Sequence, residues 1–197
     1  MNDEARLPAA ARLVRDFVNT REPQLDDESL TTPAELHGWL AQRDLLPEDA
    51  HLETADLVLA VTLREGLRAV LLEHAGHAVE ASAAPELNRA LAQLPLRMTF
   101  DQQGYHLLSA TDTPIGHALG ELADAIRQCT EDGSWSRLKV CARDSCRWAF
   151  YDASRNQVRR WCSMAGCGNH IKMRRAYAAR KIRERQEATS VPSGDQA

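Results

Sequence analysis

The chain has 197 residues, 44% of them hydrophobic and 26% charged, with a formal net charge of −4. These are the proportions of an ordinary folded domain with room for a small second module. No secretory apolar segment is visible and no apolar run approaches the roughly 20 residues of a membrane span, so the expectation is a cytoplasmic protein without a membrane partner.

The first half reads as helices. "ARLVRDFVNT" places Leu13, Phe17 and Val14 or Val18 on one face and predicts a short helix ending near Asn19. "DDESL" reads as a loop. Thr32, Pro33 and Glu35 then supply an N-cap, a first-turn proline and a capping-box acid for a helix with Leu36, Trp39 and Leu40 on its apolar stripe. The longest helical pattern, Glu53 to Ala75, repeats Leu59, Leu63, Leu67, Val70 and Leu71 at helical spacing, and Asp56, Arg64, Glu65 and Arg68 break its apolar run. "APELNRALAQL" predicts a further short helix.

"LRMTFDQQGYHLLSA" changes the period to two on either side of Gln102-Gln103-Gly104, the pattern of a β-hairpin. Thr113 and Pro114 open a helix bearing Ile115, Leu119, Leu122 and Ile126 that ends near Cys129, a thiol on its apolar face. "EDGSW" is a turn and the expected boundary between a domain at 1–135 and a module at 136–187; 188–197 reads as a disordered tail.

Charge divides along the same line. Met1 to Val140 carry 12 Lys+Arg against 23 Asp+Glu, whereas Cys141 to Ala197 carry 12 against 5. An acidic body with a basic end suits an anionic partner, or internal neutralisation of one by the other. Histidines 37, 51, 74, 77, 106 and 117 form no metal-ligand spacing, and no phosphate loop or nucleophile elbow is present, so nothing in the sequence points to catalysis.

The basic end holds four of the five cysteines, spaced C-x4-C-x15-C-x4-C: Cys141, Cys146, Cys162 and Cys167. Two close pairs around a medium loop suit one Zn2+ held by four thiolates, and a shell closed by four protein ligands makes the metal structural. Between the pairs, Trp148 to Tyr151 reads as a strand, with Val158 to Trp161 expected to return beside it as a hairpin. After Cys167 a helix is predicted, with Ile171, Ala178, Ala179 and Ile182 facing inward and Lys172, Arg174, Arg175, Arg180 and Lys181 displayed. Arg155, Arg159 and Arg160 lie on the approach to it. Knuckle, hairpin, helix is the treble-clef order, so the fold class expected is mainly α with a small β-hairpin, a multihelical domain followed by a treble-clef-like zinc finger. Cations clustered on a rigid helix are the footprint of phosphate binding.

The segment "CRWAFYDASRN…RRWCSMAGCGN" followed by a basic helix resembles the CGNR zinc finger, and "DFVNT" at 16–20 with the helix–hairpin–helix layout resembles the ABATE domain that precedes it. The resemblance implies a stress-induced bacterial transcription regulator with a DNA-binding finger. It places the ligands at Cys141, Cys146, Cys162 and Cys167 and the motif at Gly168 and Asn169, with His170 where the family has arginine. Asn169 suits a cap or turn. If the family's arginine meets DNA, His170 removes a permanent cation; if it packs within the finger, histidine can serve. Two other functions stand beside DNA binding: a zinc-stabilised protein-interaction module, and a nuclease suggested by the Asn169-His170 pair, which would need an open metal site. Operator, inducing ligand and oligomeric state, a homodimer included, are not readable.

Overall fold

The computed structural model describes residues 3–76, 83–102 and 104–189. Six α-helices carry the described chain: α1 (Ala9–Val18), α2 (Pro33–Ala41), α3 (Thr54–His74), α4 (Ala83–Leu91), α5 (Pro114–Glu131) and α6 (Asn169–Thr189). Six short strands pair two by two, all antiparallel: β1 (Arg21–Glu22) with β2 (Asp27–Glu28), β3 (Leu96–Asp101) with β4 (Gly104–Ser109), and β5 (Leu138–Val140) with β6 (Ala149–Tyr151). The class is the expected one, mainly helical with small sheets. Met1–Cys162 form one compact unit, and a second begins at Ser163.

Local chemistry starts and stops the helices where the sequence asks. The Thr32 hydroxyl accepts the Glu35 N–H at 3.2 Å and the Glu35 carboxylate accepts the Thr32 N–H at 2.9 Å, a complete capping box ahead of Pro33. Thr113 caps α5 through Gly116 N–H, again with proline in the first turn. β3 and β4 pair from Leu96↔Ser109 to Asp101↔Gly104; Gln103 of the expected turn lies outside the described residues. The expected tail, 188–197, is outside them from residue 190 onward.

Val14, Phe17 and Val18 of α1, Leu36 and Leu40 of α2, Leu63, Leu67 and Leu71 of α3, and Leu119 and Leu122 of α5 make the core. Each fully buried side chain of this size is worth about 1.5–3 kcal/mol. Gly66 lets α4 approach α3, since a Cβ there would lie 2.8 Å from the Leu87 Cβ. Leu138, Val140 and Ala149 join this core, so the strands β5 and β6 that begin the cysteine module pack as part of the helical body.

Three expectations need correction. The segment "DDESL", read as a loop, contains β2, which pairs with β1 just upstream of it. The strand Ala149–Tyr151 pairs with Leu138–Val140, not with Val158–Trp161, which forms no strand. In α6, Ala178, Ala179 and Ile182 are exposed and Ile171 is half-buried, so the helix buries no apolar face.

Candidate metal centre

Cys141 follows β5 directly, and its N–H donates to the Trp148 carbonyl at 2.9 Å, closing the knuckle. Within that loop Cys146 N–H donates to Arg143 O at 2.9 Å, and Arg147 takes a left-handed φ of 50° so that the chain can turn back into β6. The return to the second cysteine pair is organised by Asp152, which is fully buried. Its carboxylate accepts from Lys139 Nζ at 2.9 Å, from the Ser154 hydroxyl and N–H, and from Arg159 N–H at 2.9 Å. Burial alone would raise the Asp152 pKa; these bonds together hold it below the ordinary value. Lys139 also donates to the carbonyls of Gln157 and Arg159, and Ala142 N–H donates to Arg160 O at 2.8 Å. A buried ion pair with its hydrogen bonds, in place of the expected second strand, therefore brings the 152–160 loop back toward Cys141.

Cys162 ends this loop, with its carbonyl accepting from Arg159 Nη2 at 2.7 Å. The last ligand sits on a single π turn, Met164–Gly168, capped by the Ser163 hydroxyl and closed by Gly168 N–H donating to Ser163 O at 2.9 Å. α6 begins at the next residue.

The four sulfurs of Cys141, Cys146, Cys162 and Cys167 all lie within 4.8 Å of one another, with Cys146 and Cys162 at 3.7 Å. Four Zn–S bonds of about 2.3 Å directed to the corners of a tetrahedron put sulfurs about 3.8 Å apart, so the donor set fits Zn2+ in size, softness and number. Cys141, Cys146 and Cys167 are buried and Cys162 is half-buried. Hydrogen bonds from the Cys146 and Cys162 thiols pull the Cys141 pKa down to about 2, while the contact with Cys141 pushes Cys146 up to about 12 and both partners raise Cys162. Four thiolates cannot share so small a volume without a cation, and a divalent soft ion supplies the compensating charge. With all four positions taken by protein, the site is one for a structural zinc. It is the single such group of Cys, His, Asp or Glu among the described residues.

The motif residues sit around the π turn. Gly168 is buried; Asn169 is exposed, and its side-chain amide donates to Ala165 O at 3.3 Å; His170 is exposed. Of the candidate DNA-contacting cations, Arg155, Arg160, Lys172, Arg174, Arg180 and Lys181 are exposed. Arg159 is half-buried, over the Phe150 ring at 5.0 Å and bonded to Cys162 O. Arg180 pairs with Glu184 at 3.3 Å. The Arg175 side chain lies outside the described residues.

The structure adds residues that the sequence did not single out. Asn19, at the end of α1, donates to Ala149 O at 2.9 Å and accepts Ala149 N–H at 2.7 Å, a two-way clamp on β6. Arg68 of α3 reaches the Arg147 carbonyl at 2.8 Å and the Val18 and Arg21 carbonyls. Arg64, 1% exposed, makes a bidentate pair with Glu28 at 2.7 Å and a bond to the Thr20 hydroxyl. The "DFVNT" motif thus ends in two residues that lock α1 to the strand between the cysteine pairs and to buried Arg64 of α3. The sequence signals were the motif itself and the charges that interrupt the apolar run of α3.

Residues 11–133 match the ABATE domain, described as "Putative stress-induced transcription regulator", and residues 137–181 match the CGNR zinc finger. No curated protein matches the chain. No described helix is long and apolar enough to cross a membrane.

Proposed function

Because this chain belongs to the ABATE family and carries a CGNR zinc finger, we propose that it is a zinc-dependent, DNA-binding transcriptional regulator whose basic helix contacts DNA phosphates. The observation that carries the reading is α6. Among its described side chains, Lys172, Arg174, Arg180, Lys181 and Arg183 are exposed, and no residue of the helix is buried. A 21-residue helix with this composition gains nothing from a packed apolar face, and helices in proteins owe most of their stability to such a face. Its support comes from its first turn, where Cys167 stands two residues before the helix start. When bound, zinc supplies the energy that fixes this turn. The chain's own residues do the rest: Ser163 caps the π turn, Asn169 bonds back to Ala165, and the cations that follow meet the phosphates. Arg155 and Arg160, exposed on the loop before Cys162, offer further cations, while Arg159 holds the Cys162 carbonyl. A regulator of this kind works in the bacterial cytoplasm. Phosphate contacts position the protein without reading sequence, so the base-reading groups are a separate question from the affinity.

The test is fluorescence anisotropy with a mixed duplex library, titrated across salt on protein of verified zinc content. Log affinity should fall linearly with log salt, at a slope of about −0.9 per phosphate neutralised. The Lys172→Ala/Arg174→Ala variant should weaken binding to all sequences alike and flatten the slope by about 1–2. Retained zinc with no DNA binding at low salt would assign the finger to protein–protein interaction instead, for which the exposed neighbours Met173 and Tyr177 on α6 offer an apolar contact.

A further inference from the structure

A cavity of about 500 Å3 opens in the body, walled by the ends of α1 and α2 on one side and by β6 with its flanks on the other. We propose that it binds a small aromatic carboxylate. Its volume is that of a small-molecule site. Four rings line it, those of Trp39, Trp148, Phe150 and Tyr151, and such rings offer face and edge contacts to a planar ligand.

The charge in the cavity decides the ligand class. Its two acids, Glu4 and Asp16, both pair with Arg15, the latter at 2.7 Å. Arg43 donates to the Trp39 carbonyl at 3.0 Å and lies 4.0 Å from the centre of the Trp39 ring. Among the described residues no carboxylate pairs with Arg43, and no acceptor meets the indole N–H of Trp39 or Trp148. A guanidinium held in place over an indole ring suits a planar carboxylate: charge-assisted, bidentate hydrogen bonds on one side and ring contact on the other. A cation would meet Arg43 and Arg159 unfavourably, and a neutral ring would leave the guanidinium without a counter-charge.

The location gives the ligand something to act on. Ala149 and Cys162 line the cavity, so an occupant lies against the strand that Asn19 clamps and against the third zinc ligand. Binding is measured without DNA and therefore stands or falls apart from the regulator reading.

Zinc-loaded full-length protein would be titrated calorimetrically with benzoate and indole-3-carboxylate, and in parallel with benzamide and indole-3-carboxamide, while tryptophan fluorescence is followed. At least one acid should bind saturably at one site, with the matching amide weaker by about tenfold or more. Arg43→Gln should weaken the acid by about tenfold and leave the amide alone, at unchanged zinc content and circular dichroism; Arg43→Lys should keep part of the affinity. Arg43 is half-buried at a helix end, so the fold should survive both changes. No saturable binding of either acid up to about 10 mM, equal affinity for acid and amide, or an Arg43→Gln protein that binds as before would each overturn the proposal.

Discussion

The same residue type is used in opposite ways in the two halves of this molecule. In the acidic body, Arg64 and Arg68 are buried, and their guanidinium groups are matched to the Glu28 and Glu65 carboxylates and to the backbone carbonyls of Val18, Arg21 and Arg147. In α6 the described cations stand in solvent, and Arg180 pairs with Glu184 along the helix. The first set holds the fold, because a buried charge left without partners costs several kcal/mol. The second set adds little to the fold, because exposed pairs are worth about 0–1 kcal/mol. Arginine in the body is architecture, and arginine on α6 is surface available to a partner.

The sharpest way to break that contrast is to remove what supports the helix. Cys146→Ser, or chelation of the metal, should abolish zinc binding, since structural zinc contributes on the order of 10–16 kcal/mol to small modules of this kind. Helicity from α6 should fall and DNA binding should disappear with it. The α1–α5 core contains no zinc ligand, so it should retain most of its own helicity, as judged by circular dichroism beside metal analysis. Loss of the entire helical signal on chelation would show that the body itself depends on the metal.

The next test moves the contrast to stability. Arg64→Met removes one partner of a buried bidentate pair and leaves Glu28 and the Thr20 hydroxyl without it. The expected cost is about 3–5 kcal/mol, measured by urea unfolding. Lys181→Ala on α6 should change stability by no more than about 0.5 kcal/mol while weakening DNA binding. Equal losses from the two substitutions would erase the distinction between the halves.

That distinction was only partly legible in the sequence, and the reason is range. The capping box of Thr32 and Glu35, the period-two run around Gly104 and the C-x4-C spacings are local signals, completed within a few residues by groups that sit close in the chain. Arg64 and Arg68 look like interruptions of an apolar helix because what buries them, Glu28 and the carbonyls of residues 18, 21 and 147, comes from elsewhere. Asn19 finds its partner 130 residues away. The strand Ala149–Tyr151 shows a strand's composition, but composition does not name the partner strand, and the buried Lys139–Asp152 pair beside it settles the register in favour of Leu138–Val140. The apolar positions of α6 repeat at spacings compatible with an inward face, yet Ala178, Ala179 and Ile182 are exposed, and periodicity alone does not supply a partner surface.

Acid separates the halves by a smaller margin. The body depends on ionised carboxylates held among buried partners. Asp124 is the clearest case: burial pushes its pKa up, but bonds from Arg127 at 2.6 Å, the Leu107 N–H at 2.7 Å and Gln128 at 2.9 Å bring it down to about 2. A carboxyl whose folded pKa lies below its unfolded value near 3.9 contributes stability that is complete above about pH 4 and is lost as pH falls through about 2. Asp152, also held below its ordinary value, acts in the same direction. The Asp124 contribution is on the order of 1–2 kcal/mol. Zinc release complicates any single acid titration, because protons compete with the metal for the thiolates. The difference between wild type and Asp124→Asn cancels that common effect. The variant should be less stable at pH 6, and the gap should narrow by on the order of 1–2 kcal/mol between pH values of about 4 and about 2. A gap that stays constant across that window would mean that Asp124 ties β4 to α5 through geometry alone, without its charge.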